Sequence, residues 1–367
     1  MTRPWRDYNY LLLGSVLVLI GFSLAMVYSA TLRDASTQGY FSRHIVNLII
    51  GAAAMMLLTA LDYHALQAWV APFYVATVAV LAVVLVVGQV RGGAQGWLNF
   101  GLRTFQPAEA AKLMLIVVLA GYWARFEQSI GSWRVLLGSL VLMGIPTLLV
   151  FIQPDFGTAM VFLAVWLGIA WAAGLRWWQL GALAAAALPA AYVGWNYILK
   201  DYQRTRLLIF MDPLKYDPEM KGDAWNIMQS LTAIGSGGLL GRGWTHGLHS
   251  QGGYLPVQYT DFIFAVTGEE LGFVGATLML LFQAMLIWQA LRVADVARDT
   301  FGRLIAVGAA AMFLCHVLIN VGMNMSIMPI TGIPLPFISY GGSFTMTSLA
   351  VIGALQSIAL RRRRIVF

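Results

Sequence analysis

Apolar residues in this chain gather into long runs separated by short polar breaks. The runs lie at about Tyr10–Ala30, Ile45–Ala60, Ala71–Val90, Pro107–Trp123, Val135–Phe151, Phe156–Ala172, Leu180–Leu199, Phe262–Leu291, Leu304–Val321 and Thr345–Leu360. A membrane crossing takes about 20 mostly apolar residues. The pattern predicts an all-α, polytopic membrane protein with ten transmembrane helices, forming one domain over residues 1–367. One break is long, about residues 200–261, between the seventh and eighth runs. Within it, Ile227, Leu231 and Ile234 recur at helical spacing over Trp225–Gly238, which predicts an amphipathic helix lying along the membrane surface.

Composition agrees: 59% of residues are hydrophobic and 11% charged, against about 25% charged in a soluble domain. The first run is too long for the 7–15-residue apolar core of about that size in a signal peptide, so it reads as a retained span. The net charge of +7 does not point to nucleic acid. Its densest block, Arg361 to Arg364, follows the last run and reads as an anchor at anionic headgroups. Arg3, Arg6, Arg125, Arg134, Arg176, Arg292, Arg298 and Arg303 fall on the same side as that block, whereas Arg33, Arg43, Arg91 and Arg103 fall on the other. The positive-inside bias therefore places both termini in the cytoplasm and the long loop outside.

A single cysteine, Cys315, rules out disulfide staples, and His44, His64, His246, His249 and His316 show no zinc spacing. GSGGLLGRG, Gly235–Gly243, lacks the spacing of a nucleotide loop and reads as a flexible turn. What remains is acid/base chemistry by carboxylates, or transport.

Carboxylates near membrane depth are few. Asp261 stands where the long loop enters the eighth run, and Asp at such a place reads first as a helix N-cap. Glu269 lies eight residues on, about 12 Å deeper on a similar face, and Glu270 follows it; the plain role of Glu269 is to hold a neighbouring helix. Glu109 and Lys112 share one helix face behind Pro107, either as a pair stabilising the helix start or as a positioned cation with its counter-charge. Asp155 follows Pro154 at another helix start, where capping and functional roles compete. Arg204 and Arg206 sit at the foot of the long loop, where a guanidinium suits phosphate. Asn324–Ser343, with three prolines and three glycines, is irregular backbone between two spans and a candidate cavity wall.

Several of these segments together resemble the SEDS family (shape, elongation, division and sporulation proteins). QPAEAAK, QPDFGT, AIGSGGLLGRG, TDFIFAVTGEELGF and PITGIPLPFISYGGS follow family motifs in order. DYQRTR followed by GWTHGLHSQ is closer to the elongation branch, the RodA type, than to the division branch. The resemblance implies a ten-helix peptidoglycan glycosyltransferase of the bacterial inner membrane, polymerising lipid II on its outer side. It implies that Asp261 is catalytic, that Glu109 and Lys112 form a functional pair, and that Arg43 is a functional basic residue. It also implies a class B penicillin-binding protein as partner. The chain departs from the pattern at Tyr259, where the family commonly has His, at Gly96-Trp97 for Arg-Trp, and at Ala108 for Ser.

On this reading Asp261, beside Thr260, is the general base. Lys112, Arg43, Arg204 or a divalent cation (Mg or Mn) meets the leaving diphosphate of the undecaprenyl-linked glycan. Gln229 and Ser230 face the substrate headgroup from the loop helix, which closes as a lid. No nucleotide is needed. The rival readings are a lipid II flippase and a non-catalytic scaffold for wall assembly.

Overall fold

The computed structural model describes residues 7–33, 37, 39–91, 94–99, 101, 104–199 and 201–362. Arg3, Arg6, Arg103, Arg363 and Arg364 lie outside the described residues. In chain order the helices are α1 (Tyr10–Thr31), α2 (Tyr40–Ala60), a one-turn α3 (Ala65–Ala68), α4 (Val70–Val87), α5 (Pro107–Arg125), α6 (Trp133–Ile152), α7 (Phe156–Ala173) and α8 (Trp177–Val193). The long loop carries α9 (Asp201–Met211), α10 (Pro213–Tyr216), α11 (Asp223–Ser236) and α12 (Leu248–Gln251). Then follow α13 (Ile263–Val296), α14 (Thr300–Asn324) and α15 (Gly342–Leu360).

Each expected span coincides with a helix. Nine helices among the described residues are long and apolar enough to cross a membrane. α8, at the place of the seventh expected span, has 17 residues and runs on into a π-helical turn, Gly194–Ile198. α5, α14 and α15 form the centre, with α2 along α15, and α7 and α13 along α14. Leu115, Leu119, Leu304, Phe313, Ile352 and Leu355 are buried there. Helices at the rim leave Val83, Leu137 and Leu163 uncovered, as a lipid-facing surface requires.

The sequence pattern did not predict a small antiparallel sheet between α4 and α5, ordered β1-β2-β3: β1 (Gln89–Arg91), β2 (Ala94–Asn99) and β3 (Thr104–Phe105). Leu98 pairs with Phe105. Strands this short, around glycines, lack the alternation that marks a strand in sequence.

The long loop is built into the bundle. α11 packs on α13 and α14 through Ala224, Ile227, Ser230 and Ala233. This corrects the expected face, because Leu231 is exposed. Helix geometry accounts for the shift: small residues at Ala224, Ser230 and Ala233 let the helix approach its neighbours closely.

The glycine segment is likewise no free turn. α13 is broken at Gly272 (φ 66°, ψ −166°), and the segment's backbone fills the break. Arg242 and Gly243 donate to the carbonyls of Glu269 and Glu270, while Phe273 and Val274 donate to the carbonyls of Gly238 and Leu239. A Cβ on Gly272 would meet the backbone of Leu239, Leu240 and Gly241. Gly272→Ala is therefore expected to lower stability by at least about 1–3 kcal/mol, the usual cost of forcing a side chain into this backbone region. Thermal unfolding in detergent reads this, and an unchanged midpoint would refute the splice as a stabilising element.

Glu269 and Glu270 hold this loop rather than a neighbouring helix alone. Both are fully buried. Glu269 accepts from the His249 and Ser250 N–H groups (2.8 and 2.9 Å) and lies 3.0 Å from His249 Nδ1. Glu270 accepts from Ser29 of α1 (2.6 Å), Ser250 (2.9 Å) and the Thr245 N–H (3.1 Å).

Candidate active site at the loop–membrane junction

Asp261 ends the long loop, two residues before α13 begins. If it were the N-cap, its carboxylate would accept a backbone N–H of the first turn. No such bond is among those described, and the cap position falls on Phe262, which makes no side-chain cap. Asp155 behaves differently. Its Oδ1 accepts from the Thr158 N–H (2.9 Å), and its Oδ2 accepts from the Thr158 hydroxyl (2.9 Å) and Gln106 Nε2 (3.0 Å). Capping thus accounts for Asp155 and leaves the Asp261 carboxylate for another task.

The backbone around Asp261 is held unusually firmly. Three successive carbonyls accept bonds from outside the segment. Tyr259 O takes the Tyr340 N–H (2.8 Å), and Thr260 O takes the Ser339 hydroxyl (2.6 Å). Asp261 O takes both Asn320 Nδ2 (3.1 Å) and Asn324 Nδ2 (2.9 Å). The facing segment is caught in the same way. Ile333 O accepts from Asn320 (2.7 Å), Pro334 O from His316 (3.0 Å), Pro336 O from Gln283 (2.6 Å) and Ile338 O from Ser23 (2.8 Å). Irregular backbone at this depth needs side-chain donors in place of water, which explains why residues 331–340 can form a wall here.

Much of this comes from His316, Asn320 and Asn324, a donor stripe the sequence reading did not anticipate although His316 stood among the scattered histidines and Asn324 at the edge of the irregular segment. The three recur every four residues along α14 and are fully buried. That spacing, a polar stripe on an otherwise apolar span, was the available signal. His316 Nδ1 donates to Pro334 O, so Nε2 is the acceptor that meets Lys112 Nζ at 3.1 Å. Lys112 also donates to both Glu109 oxygens (2.9 and 2.8 Å) and is 1% exposed. The amine is thus spent inside the protein, with the Phe344 ring 5.3 Å away.

The remaining candidates separate clearly. Asp261 is half-buried, and its pKa is pushed up to about 6 by desolvation, against the Thr260 hydroxyl and the Arg206 guanidinium, which pull it down. Arg206 pairs with Asp223 of α11 (3.2 Å). Arg204 turns to the Asn196 carbonyl (3.0 Å) instead. Arg43 is exposed and lies 5.9 Å from the Tyr40 ring. Tyr40 stacks on Tyr340 (5.1 Å) and meets Tyr259 edge-on (5.1 Å), so the unusual Tyr259 joins an aromatic cluster beside Asp261. Burial raises the Tyr259 hydroxyl to about 12, so it stays protonated. Ser230, expected to face a headgroup, is buried and donates to Asn324 O (2.9 Å); its small side chain lies on the packed face of α11. Gln229 is half-buried and Thr260 donates to Val257 O (3.3 Å).

Comparison with known proteins agrees with this architecture. The cell cycle protein family that groups FtsW, RodA and SpoVE matches residues 9–364, and the chain belongs to that family. It is 36% identical to peptidoglycan glycosyltransferase MrdB of Escherichia coli K12 over 95% of this chain and 92% of that one. It is 31% identical to peptidoglycan glycosyltransferase RodA of Treponema pallidum over 98% and 99% of the two chains. Among solved structures, it superposes on a chain of a peptidoglycan synthase complex that coordinates polymerisation and crosslinking, with a TM-score of 0.82 at 30% identity over 96% and 97% of the chains. The rod shape determining protein RodA of Thermus thermophilus gives a TM-score of 0.71 at 28% identity over 98% and 99%.

Proposed function

We propose that this chain is a peptidoglycan glycosyltransferase of the elongation type, polymerising lipid II with Asp261 as general base. The observation that carries the proposal is the Asp261 carboxylate, excused from capping, while its backbone carbonyl is fixed by Asn320 and Asn324. The acceptor's 4-hydroxyl gives its proton to Asp261 as its oxygen bonds to the donor's anomeric carbon. The bond from that carbon to the diphosphate oxygen breaks, the anomeric centre inverts, and undecaprenyl diphosphate leaves. A base with pKa about 6 is deprotonated at neutral pH yet stronger than an ordinary carboxylate.

An apolar crevice of about 280 Å³ between α2, α4, α5 and α15, lined by Leu58, Phe73, Met114 and Met346, suits a polyprenyl tail. Among the described residues no three His, Cys, Asp or Glu side chains converge to hold a metal. A divalent cation held by one carboxylate and the substrate's own diphosphate is compatible with that, and the steps above rest on the chain's own groups. The basic bias supports an extracytoplasmic site and cytoplasmic termini. Likeness to a chain of a synthase complex supports a class B penicillin-binding protein as partner.

Glycan strands formed by purified protein from lipid II test the activity, and strand formation separates it from a flippase or a scaffold. The pH profile tests the base. Protonation disables it, so kcat/KM is expected to fall as pH drops through about 6 and to level off above. A profile flat from about pH 5 to about pH 8 would remove Asp261 as the base.

A further inference from the structure

A narrow crevice opens between α9 and the segment after α14, lined by Pro154, Gln203, Arg206, Ile330 and Thr331. Its floor continues into the site, because Gly332, next to Thr331, faces Asp261 Oδ2 closely enough that a Cβ there would lie 3.5 Å from it. Two groups in this lining suit an oxyanion. The Arg206 guanidinium is 40% exposed despite its pair with Asp223. Thr331 Oγ1 is shut from solvent without a hydrogen-bond partner. Two other cations considered for the leaving group are committed elsewhere: Lys112 is bonded to Glu109 and His316, and Arg204 to a backbone carbonyl, while Arg43 lies over the Tyr40 ring and is not part of this lining.

We propose that this crevice binds the diphosphate of a polyprenyl-linked sugar, with Arg206 as its cation and the Thr331 hydroxyl as a second donor. The inference rests on the reading of the chain as a lipid II polymerase. Two N–H groups of a guanidinium match two phosphate oxygens, which a buried ammonium cannot do. Asp223 holds the guanidinium in place while its exposed edge meets the ligand. As the glycosyl bond breaks, the charge developing on the diphosphate oxygen falls beside Arg206, and the proton passes to Asp261 on the other side of the reacting carbon. Arg206 thus touches the leaving group and stabilises it in the transition state.

The test uses the full-length protein in detergent with lipid II, comparing the parent with Arg206→Gln, Arg206→Lys and Thr331→Val. Lys221→Gln, which removes an exposed charge paired with Glu219, controls for net charge. Arg206→Gln is expected to lower kcat/KM about 10- to 100-fold, the range for a lost charge-assisted bond. Inhibition by added undecaprenyl diphosphate should weaken by a similar factor, and inhibition by undecaprenyl monophosphate much less. The acid limb of the pH profile should move to higher pH, because the guanidinium pulls the Asp261 pKa down. Arg206→Lys should restore the position of that limb but little of the inhibition by diphosphate. Thr331→Val should weaken the same inhibition alone. An Arg206→Gln protein with parental inhibition by diphosphate and an unmoved limb would overturn the proposal while leaving the polymerase reading intact. A parent that makes no glycan would instead overturn that reading.

Discussion

Asp261→Asn is expected to abolish glycan polymerisation in a protein that remains folded and membrane-inserted. A general base contributes about 100- to 10 000-fold, so the loss should be near complete in a strand-forming assay. Stability should move the other way. The carboxyl's pKa is about 6 in the fold against an ordinary 3.8. The unfolded chain therefore releases this proton more readily, and the parent loses stability as pH rises from 3.8 to about 6. Asn carries no such cost, so above that window the variant should unfold at an equal or higher temperature. The bonds to Asn320 and Asn324 use the backbone carbonyl and survive the substitution. An Asn variant that polymerises normally would remove the base. One that is dead but unfolded would instead mean that the carboxylate is structural.

Lys112→Met should be among the most destabilising single changes in the chain. It leaves Glu109 buried at 4% exposure without its cation, a situation that costs about 3–5 kcal/mol. Adding Glu109→Gln removes the stranded charge, so the double variant should recover most of the thermal stability and measurable polymerisation. The geometry favours this outcome, since Lys112 is enclosed by Glu109, His316 and the Phe344 ring. A double variant that is fully stable yet inactive would place the amine in the chemistry instead.

The spans were legible because lipid demands long apolar runs, and helix is the local answer to that demand. Asp261 stood out for the same reason: a charge at a junction is conspicuous against a plain background. Its freedom from capping was not legible, since Asp155 occupies a similar sequence setting and does cap its helix. The difference lies in the partners that α14 and residues 339–340 bring from far along the chain. The His316, Asn320 and Asn324 stripe was readable in principle from its four-residue spacing, but its targets are backbone carbonyls, which carry no sequence signature. The role of the glycine segment is not readable from sequence, because it depends on a break at Gly272, about 30 residues away and visible only once both backbones are placed. The placement of Arg206 rather than Arg204 toward Asp261 follows from which face of α9 meets the bundle, and the alternation of charges in DYQRTR does not encode that.

The bonds from α1 to distant partners set an order on biosynthesis. Ser23 waits for Ile338 and Ser29 for Glu270, the latter 241 residues further along. At about 5–20 residues per second, that interval alone lasts about 12–50 s. For this time the Ser29 hydroxyl sits in the bilayer without its carboxylate, and the Ser23 hydroxyl has His44 of α2 but not yet its carbonyl. The wall facing Asp261 cannot close until α14 has been made and residues 331–340 have emerged. A chain stalled before α13 therefore lacks both the proposed base and the wall that faces it, so the proposed site is assembled only when synthesis is nearly complete.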